Sequence, residues 1–258
     1  MRSTQQNESG SVIGRVSAIL DCFAGIDTVL SVSELSRRSG ISKTTTWRIT
    51  GELVERGFLE QQPGGLVLGL RFFELGESAM RPRTLRRLAL ARMEVLRHVS
   101  GNTVHLAVIT EADVVYIEIL PVRSSPRMPS RVGGRVPAHA TAVGKALLAF
   151  SPVELVDAVI ARGLDAVGPR TITDAGDFRD ELDRVRGNGV AQETEESAPG
   201  VSCVAVPVFF DDGPVAAALS ISGPSQTLRV DEVTILLRDA AAALQRDAQR
   251  LPKLGRQF

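Results

Sequence analysis

The residues able to do chemistry are few, and they are poorly grouped for catalysis. Lys145 follows Gly144, as at the end of a phosphate-binding loop. Such a loop needs Gly-x-x-x-x-Gly-Lys-Ser/Thr, but His139 stands where the first glycine belongs and Ala146 follows the lysine. Gly200-Val201-Ser202-Cys203-Val204 lacks the second glycine of a nucleophile elbow. Cys203 could serve as a nucleophile or redox sensor, but a buried cysteine more often behaves as a small apolar residue. His98, His105 and His139 have no metal-ligand spacing, and no Cys-x-x-Cys exists. His139 reads as a structural hydrogen-bonder rather than a general base. No Ser-His-Asp set or carboxylate pair emerges, so an enzyme has no constellation to work with. The chemistry that remains is recognition. Ser42, Lys43, Thr44 and Thr45, followed by Trp47 and Arg48, place short hydroxyls and cations together. At the start of a helix such residues bond base edges and phosphates, and the indole adds one N–H donor.

The elements that must position them can be read from periodicity and caps. Val12, Val16, Ile19 and Phe23 recur at helical spacing, so 11–24 is an amphipathic helix ending near Gly25. Ser31-Val32-Ser33-Glu34 has capping-box spacing and opens a short helix from Val32 to Ser39, with Gly40 as its left-handed stop. Ser42 caps a third helix running to about Arg56 and stopped by Gly57. Thr46, Ile49, Thr50 and Leu53 form its inward face. Phe58 to Gln62, Pro63-Gly64-Gly65 and Leu66 to Leu68 predict a hairpin. The sum is a winged helix-turn-helix, the competing reading being a small helical adaptor with no nucleic-acid role.

Farther on, 71–80 predicts a helix interrupted at Arg81-Pro82, followed by another over 83–99. Strands are predicted over 103–110 and 114–120, then at about 190–194, 201–209 and 215–222. An Asp211-Asp212-Gly213 turn joins the last two. Pro121 to Val136 reads as a loop with one short strand at most. Ser151-Pro152-Val153-Glu154 has capping-box spacing with proline at the first helical position. Further helices cover 174–187 and 231–249. Hairpins with separate helices indicate an α+β fold with a mainly antiparallel sheet.

Composition narrows the classes. The 258 residues carry 30 basic and 30 acidic side chains and are 43% apolar, which suits one large or two modest globular domains. The longest run without a polar residue is the eight residues from Cys203 to Phe210, against about 20 for a membrane span. Met1 to Gly10 lacks the apolar stretch of a secretory signal. A cytoplasmic protein without membrane contact is expected. Zero net charge hides an asymmetry: residues 1–100 hold 14 Lys/Arg against 10 Asp/Glu, and the remainder is acidic. Six arginines between Arg81 and Arg97 face one acid, Glu94. They form either a DNA-facing stripe or, as is commoner, a solvated helix face. Residues 1–75 are neutral, with eight charges of each sign, so DNA affinity would rest on a few placed cations.

From Ser11 to Gly76, "LSVSELSRRSGISKTTTWRITGELVERGFLE" and "GGLVLGLRFFELG" resemble the DNA-binding domain of IclR-family transcription regulators. "RVPAHATAVGKALLA", "TITD" and "GVSCVAVPVFFDDGPVAAALSISGPSQTL" resemble the same family's second half, in its order. The resemblance spans roughly 11–250. It implies a winged helix-turn-helix over 9–70, a linker helix over 71–81, and a GAF/profilin-like effector-binding and oligomerisation domain over 82–251. It implies no cofactor, and as partners double-stranded operator DNA, a small organic acid or relative, and a second copy of the chain. The copies would pair as homodimers, often as dimers of dimers. It also carries over effector contacts. Ala142 and Val143 match positions whose amides meet a ligand carboxylate, at a helix start that favours anions. Glu193, Val201 and Cys203 match wall positions, Ser220 and Ser222 hydroxyl donors on one strand face, and Met128 and Val136 lid or wall positions. Glu193 could be protonated against an acid, or could select a hydroxyl or cation; it could equally be a solvated turn carboxylate. The chain departs from the family at Thr46 and Thr50, where apolar residues are usual, and at Trp47, where His or Tyr is usual. It also has Ala142-Val143 where some acid-binding members have Gly-Ala. A vestigial pocket is the further alternative.

Overall fold

The computed structural model describes residues 10–25, 29–123, 125–126, 128, 130–210 and 213–250; for residues 80 and 81 only the backbone is described. The chain divides into two compact units, Met1–Ala79 and Met80–Phe258. Among the described residues no helix is long and apolar enough to cross a membrane.

The first unit begins with α1 (Val12–Asp21), capped by Ser11 and prolonged by a 3-10 turn at Cys22–Ala24. Helix α2 (Val32–Ser39) starts where the Ser31 hydroxyl accepts the Glu34 amide and stops at Gly40 in the left-handed region. Only half of the expected capping box forms. The Glu34 carboxylate is taken by the Arg37 and Arg38 guanidiniums, which hold its pKa down at about 2. Charge-assisted bonds outcompete a bond to one amide. Helix α3 (Lys43–Glu55) follows after a three-residue turn, capped by Ser42. Ile19, Phe23, Leu35, Ile49, Leu53, Leu59 and Leu66 close the core of this unit, each buried side chain contributing about 2 kcal/mol. Thr46 and Thr50 lie inside it and are satisfied locally: Thr46 Oγ1 donates to Ser42 O at 3.0 Å and Thr50 Oγ1 to Trp47 O at 3.1 Å. A buried hydroxyl becomes tolerable that way.

The wing pairs β1 (Leu59–Gln62) with β2 (Gly65–Leu68), antiparallel around Pro63-Gly64. Strand β2 also bridges back to Leu30. A Cβ on Gly65 would lie 2.5 Å from Leu30 O, so only glycine admits that approach. Helix α4 (Arg71–Glu77) ends this unit, with Phe72 edge-on to Phe58.

The second unit opens with α5 (Met80–Ser100). The helix break therefore falls at Ser78-Ala79, and not at Arg81-Pro82. Proline lies within the first turn of α5, where its missing N–H would have had no intrahelical acceptor. Three of the six arginines of the stripe are paired within this unit. Arg86 pairs with Glu118, Arg92 with Asp247 and Arg97 with Glu94, which favours the solvated-face reading over a DNA-facing one.

Strands β3 (Thr103–Thr110), β4 (Asp113–Leu120), β5 (Arg135–Pro137), β6 (Ala191–Thr194), β7 (Val201–Val208) and β8 (Ala217–Pro224) make one sheet in the order β5-β4-β3-β8-β7-β6. Every neighbouring pair is antiparallel. Asp211 and Asp212 of the expected turn between β7 and β8 lie outside the described residues. Strand alternation gives the sheet two faces. Val104, Leu106, Val204, Val206, Leu219 and Ile221 pack against α5 and α9 (Val230–Gln249). The opposite face packs against α6 (Ala142–Leu148), α7 (Val153–Arg162) and α8 (Ala175–Asn188). The capping box expected at Ser151 does not form. Pro152 is the cap residue, and the Ser151 hydroxyl donates to Leu147 O at 2.9 Å, drawn into the turn that closes α6.

Candidate functional site

Two regions carry recognition chemistry, one in each unit. At the start of α3, Lys43, Thr44, Trp47 and Arg48 are exposed, the indole at 69%. Arg48 meets Glu52 at 3.2 Å, but both side chains are more than half exposed. Such a pair is weak, and a phosphate can displace it. Ser42 and Thr45 are less available. The Ser42 hydroxyl accepts the Thr45 amide at 3.4 Å and donates to Thr45 Oγ1 at 2.9 Å. Of the six residues expected to contact DNA, these four are exposed, Arg48 within its surface pair, and two spend their hydroxyls on each other.

In the second unit a cavity of about 280 Å3 lies between the sheet and α6. Met128, Val136, Ala142, Val143, Glu193, Val201, Cys203, Ser220 and Ser222 all line it. The strand register explains why residues so distant in sequence converge. Glu193 is opposite Cys203, Cys203 opposite Ser222, and Ser220 opposite His105. His105, Tyr116, Ser130, Arg135, Thr141 and Ser197 also line the cavity and escaped the sequence reading. Alternation along β3 puts His105 on a definite face, but only the β3–β8 register shows that this is the face of Ser220.

One end of the cavity is the beginning of α6. Thr141 caps the helix by accepting the Gly144 amide at 3.1 Å, which leaves the Ala142 and Val143 amides without an intrahelical acceptor. Gly144 is required there, since a Cβ would lie 2.0 Å from Ala138 O. The sheet side is polar, and burial shifts its titratable groups toward their uncharged forms. Burial lowers the pKa of His105 to about 4 and pushes the Cys203 thiol up to about 12. Burial also raises Tyr116 above its usual value, and it raises Glu193 against the bonds from the Glu196 amide and the Ser197 hydroxyl. A neutral imidazole has one donor and one acceptor. His105 Nε2 lies 3.1 Å from Ser130 Oγ and Nδ1 lies 3.5 Å from Ser222 Oγ. Ser220 Oγ is buried with no hydrogen-bond partner among the described residues. A buried orphan hydroxyl in a cavity is a place where a ligand's polar group would be matched. His139 sits outside this cavity, its Nε2 2.9 Å from Asp165 O, in a structural role.

Comparison with known proteins gives a consistent result. The model described as "IclR helix-turn-helix domain" matches residues 12–63, and "Bacterial transcriptional regulator IclR C-terminal" matches 78–247. The chain is 34% identical to the HTH-type transcriptional regulator KdgR of Escherichia coli over 244 residues, 92% of each chain. It is 35% identical to KdgR of Dickeya chrysanthemi over 231 residues, 88% of this chain and 75% of that one. Among solved structures it resembles an IclR homolog from Microbacterium hydrocarbonoxydans complexed with 4-hydroxybenzoate. There the identity is 31% and the TM-score 0.85, covering 93% of this chain and 100% of the other.

Proposed function

The chain belongs to the IclR family of bacterial transcription regulators, and from that membership we propose which residues carry its function. It is a DNA-binding regulator with an effector-binding C-terminal domain, and not an enzyme. Lys43, Thr44, Trp47 and Arg48 on α3 meet the major groove, with Ser42 and Thr45 shaping the helix start, while the β1–β2 wing approaches the backbone. Residues 9–70 form the DNA-binding part, 71–81 the linker and 82–251 the effector-binding and oligomerisation part. The protein works in the cytoplasm as a homodimer, further paired into a dimer of dimers. Val12 and Ile13 on α1, and Phe73 and Leu75 on α4, are exposed apolar side chains that support pairing of DNA-binding units.

The effector is a small organic acid. Its carboxylate meets the Ala142 and Val143 amides, and its body lies among Met128, Val136, Val201 and Cys203. Ser220, Ser222 and Glu193 read its remaining polar groups. The observation that carries this is the orphaned Ser220 hydroxyl in a mostly apolar cavity. Its volume of about 280 Å3 is at the small end of ligand sites, which start at about 300 Å3. The 4-hydroxybenzoate bound to the Microbacterium relative supports the same class. Ligand changes the placement of the two DNA-binding units in a dimer, and operator affinity follows half-site spacing.

The test is operator binding by Lys43→Ala and Arg48→Ala at several salt concentrations, beside a thermal-shift screen of small carboxylic acids. Each substitution is expected to weaken binding, and loss of a phosphate contact reduces the salt slope by about 1. Undiminished binding by both variants removes the recognition helix from the account. An acid that binds the folded state raises the melting temperature.

A further inference from the structure

Behind the cavity wall lies a group of buried charges that the effector contacts do not use. Lys145, two residues beyond Val143 on α6, is 1% exposed. Its Nζ lies 2.7 Å from Glu196 Oε1 and 2.9 Å from Glu181 Oε1. The Glu196 backbone amide donates to Glu193 Oε2 at 2.9 Å, and the Ser197 hydroxyl donates to Glu193 Oε1 at 2.8 Å. Two consecutive residues of one turn thus hold both oxygens of the cavity carboxyl, and an ion pair ties that turn to α6. The turn is strained: Glu195 has φ 60, in the left-handed region, without being glycine. Such a conformation persists only where neighbours over-determine it. Backbone bonds from Glu195 N to Val201 O at 2.7 Å and from Arg170 N to Glu195 O at 3.2 Å hold Glu195 itself; on Glu196, the Thr171 hydroxyl donates to the carbonyl at 2.7 Å and Lys145 holds the carboxylate.

We propose that the Lys145–Glu196 ion pair is the positioning element of the effector site. It fixes the spacing between the donors at the start of α6 and the acceptor carboxyl of Glu193. This rests on the effector reading above and assigns a role to residues outside the contact wall. The amides of Ala142 and Val143 take a carboxylate, and Glu193 takes a donor at the far end of the same molecule. The matching class is a monocarboxylic acid with a distal hydroxyl. Loosening the pair releases Glu193 and loses the hydroxyl contact, while the carboxylate contact remains.

The experiment is calorimetric titration of the full chain with 4-hydroxybenzoate and with benzoate. Wild type is expected to favour 4-hydroxybenzoate by about fivefold or more, the net worth of one hydrogen bond. Glu196→Ala brings the ratio near one while benzoate affinity stays within about threefold. Glu196→Gln, whose amide oxygen still accepts from Lys145, retains the preference. Lys145 keeps Glu181 in both variants, so its ammonium is not stranded. The double variant Lys145→Met, Glu196→Met removes the pair at similar volume, a replacement buried pairs often tolerate, and gives the same collapse if Glu196→Ala fails to fold. If wild type binds neither acid, the effector reading falls and this assignment with it. If wild type discriminates and both pair-removing variants still do, the assignment alone is overturned. Equal loss of both ligands also overturns it, because that marks a merely structural pair.

Discussion

His105 should make the second unit acid-sensitive in a way that one substitution removes. The imidazole is buried between Ser130 and Ser222 with Tyr116 against it, ring centroids 5.2 Å apart, and among the described residues no carboxylate is bonded to it. Burial takes its pKa from 6.5 to about 4. Between those values the unfolded chain binds a proton that the folded chain excludes, so stability rises with pH across the window. The contribution is complete above pH 6.5, shrinks as pH falls, and is gone below about 4. At about 1.4 kcal/mol per pH unit the whole effect is about 3 kcal/mol. Between pH 7 and 4.5, about 2.5 kcal/mol of it is lost. Gln can bridge the two hydroxyls but does not titrate. Urea denaturation of wild type and His105→Gln, followed by circular dichroism from pH 7.5 to 4.5, measures the difference. Other titrating groups are common to both proteins and cancel. The wild-type curve should fall more steeply by nearly one proton's worth between pH 6 and 4.5; parallel curves would refute a neutral, desolvated His105.

Two further outcomes follow from the cavity wall. Gly144→Ala places a methyl group 2.0 Å from Ala138 O, a backbone atom with nowhere to go. A loss of about 3 kcal/mol is expected, read as a drop in melting temperature; an unchanged melting point contradicts the close approach. Cys203, its pKa raised to about 12 by burial, should resist iodoacetamide at pH 8 in the folded protein and react once denatured. Mass spectrometry of native samples showing rapid labelling at Cys203 would count against a closed wall.

The first unit was legible residue by residue because its signals are local. Ser31, Gly40, Ser42 and Gly57 act within one helical turn of themselves, and the elements they delimit appear at the expected places. Two of the misreadings share a cause. Ser151 and Glu34 have capping-box spacing, but a carbonyl of the preceding helix takes one and two arginines take the other. Spacing shows which bonds are available, and competition among neighbours decides which forms. The cavity divides differently. Its nine expected residues came from resemblance, whereas His105 and Ser130 meet through strand register and loop path. Lys145 failed the phosphate-loop pattern, and its partnership was invisible because Glu196 is 51 residues away. A buried ion pair leaves no periodic trace in sequence.

The two faces of the large sheet divide labour by residue parity. On β3, even positions 104, 106 and 108 belong to the closed core, and His105 faces the cavity. On β7, Cys203 faces the cavity between Ser202 and core residue Val204, and on β8 Ser220 and Ser222 flank core residue Ile221. The cavity lining is thus written in alternate letters of strands whose other letters specify the fold. Drift at 105, 203, 220 and 222 can reshape the cavity while the apolar residues between them keep the scaffold standing. A lineage of regulators can then change what it senses without rebuilding how it folds, and a library randomised at those four positions would follow the same route.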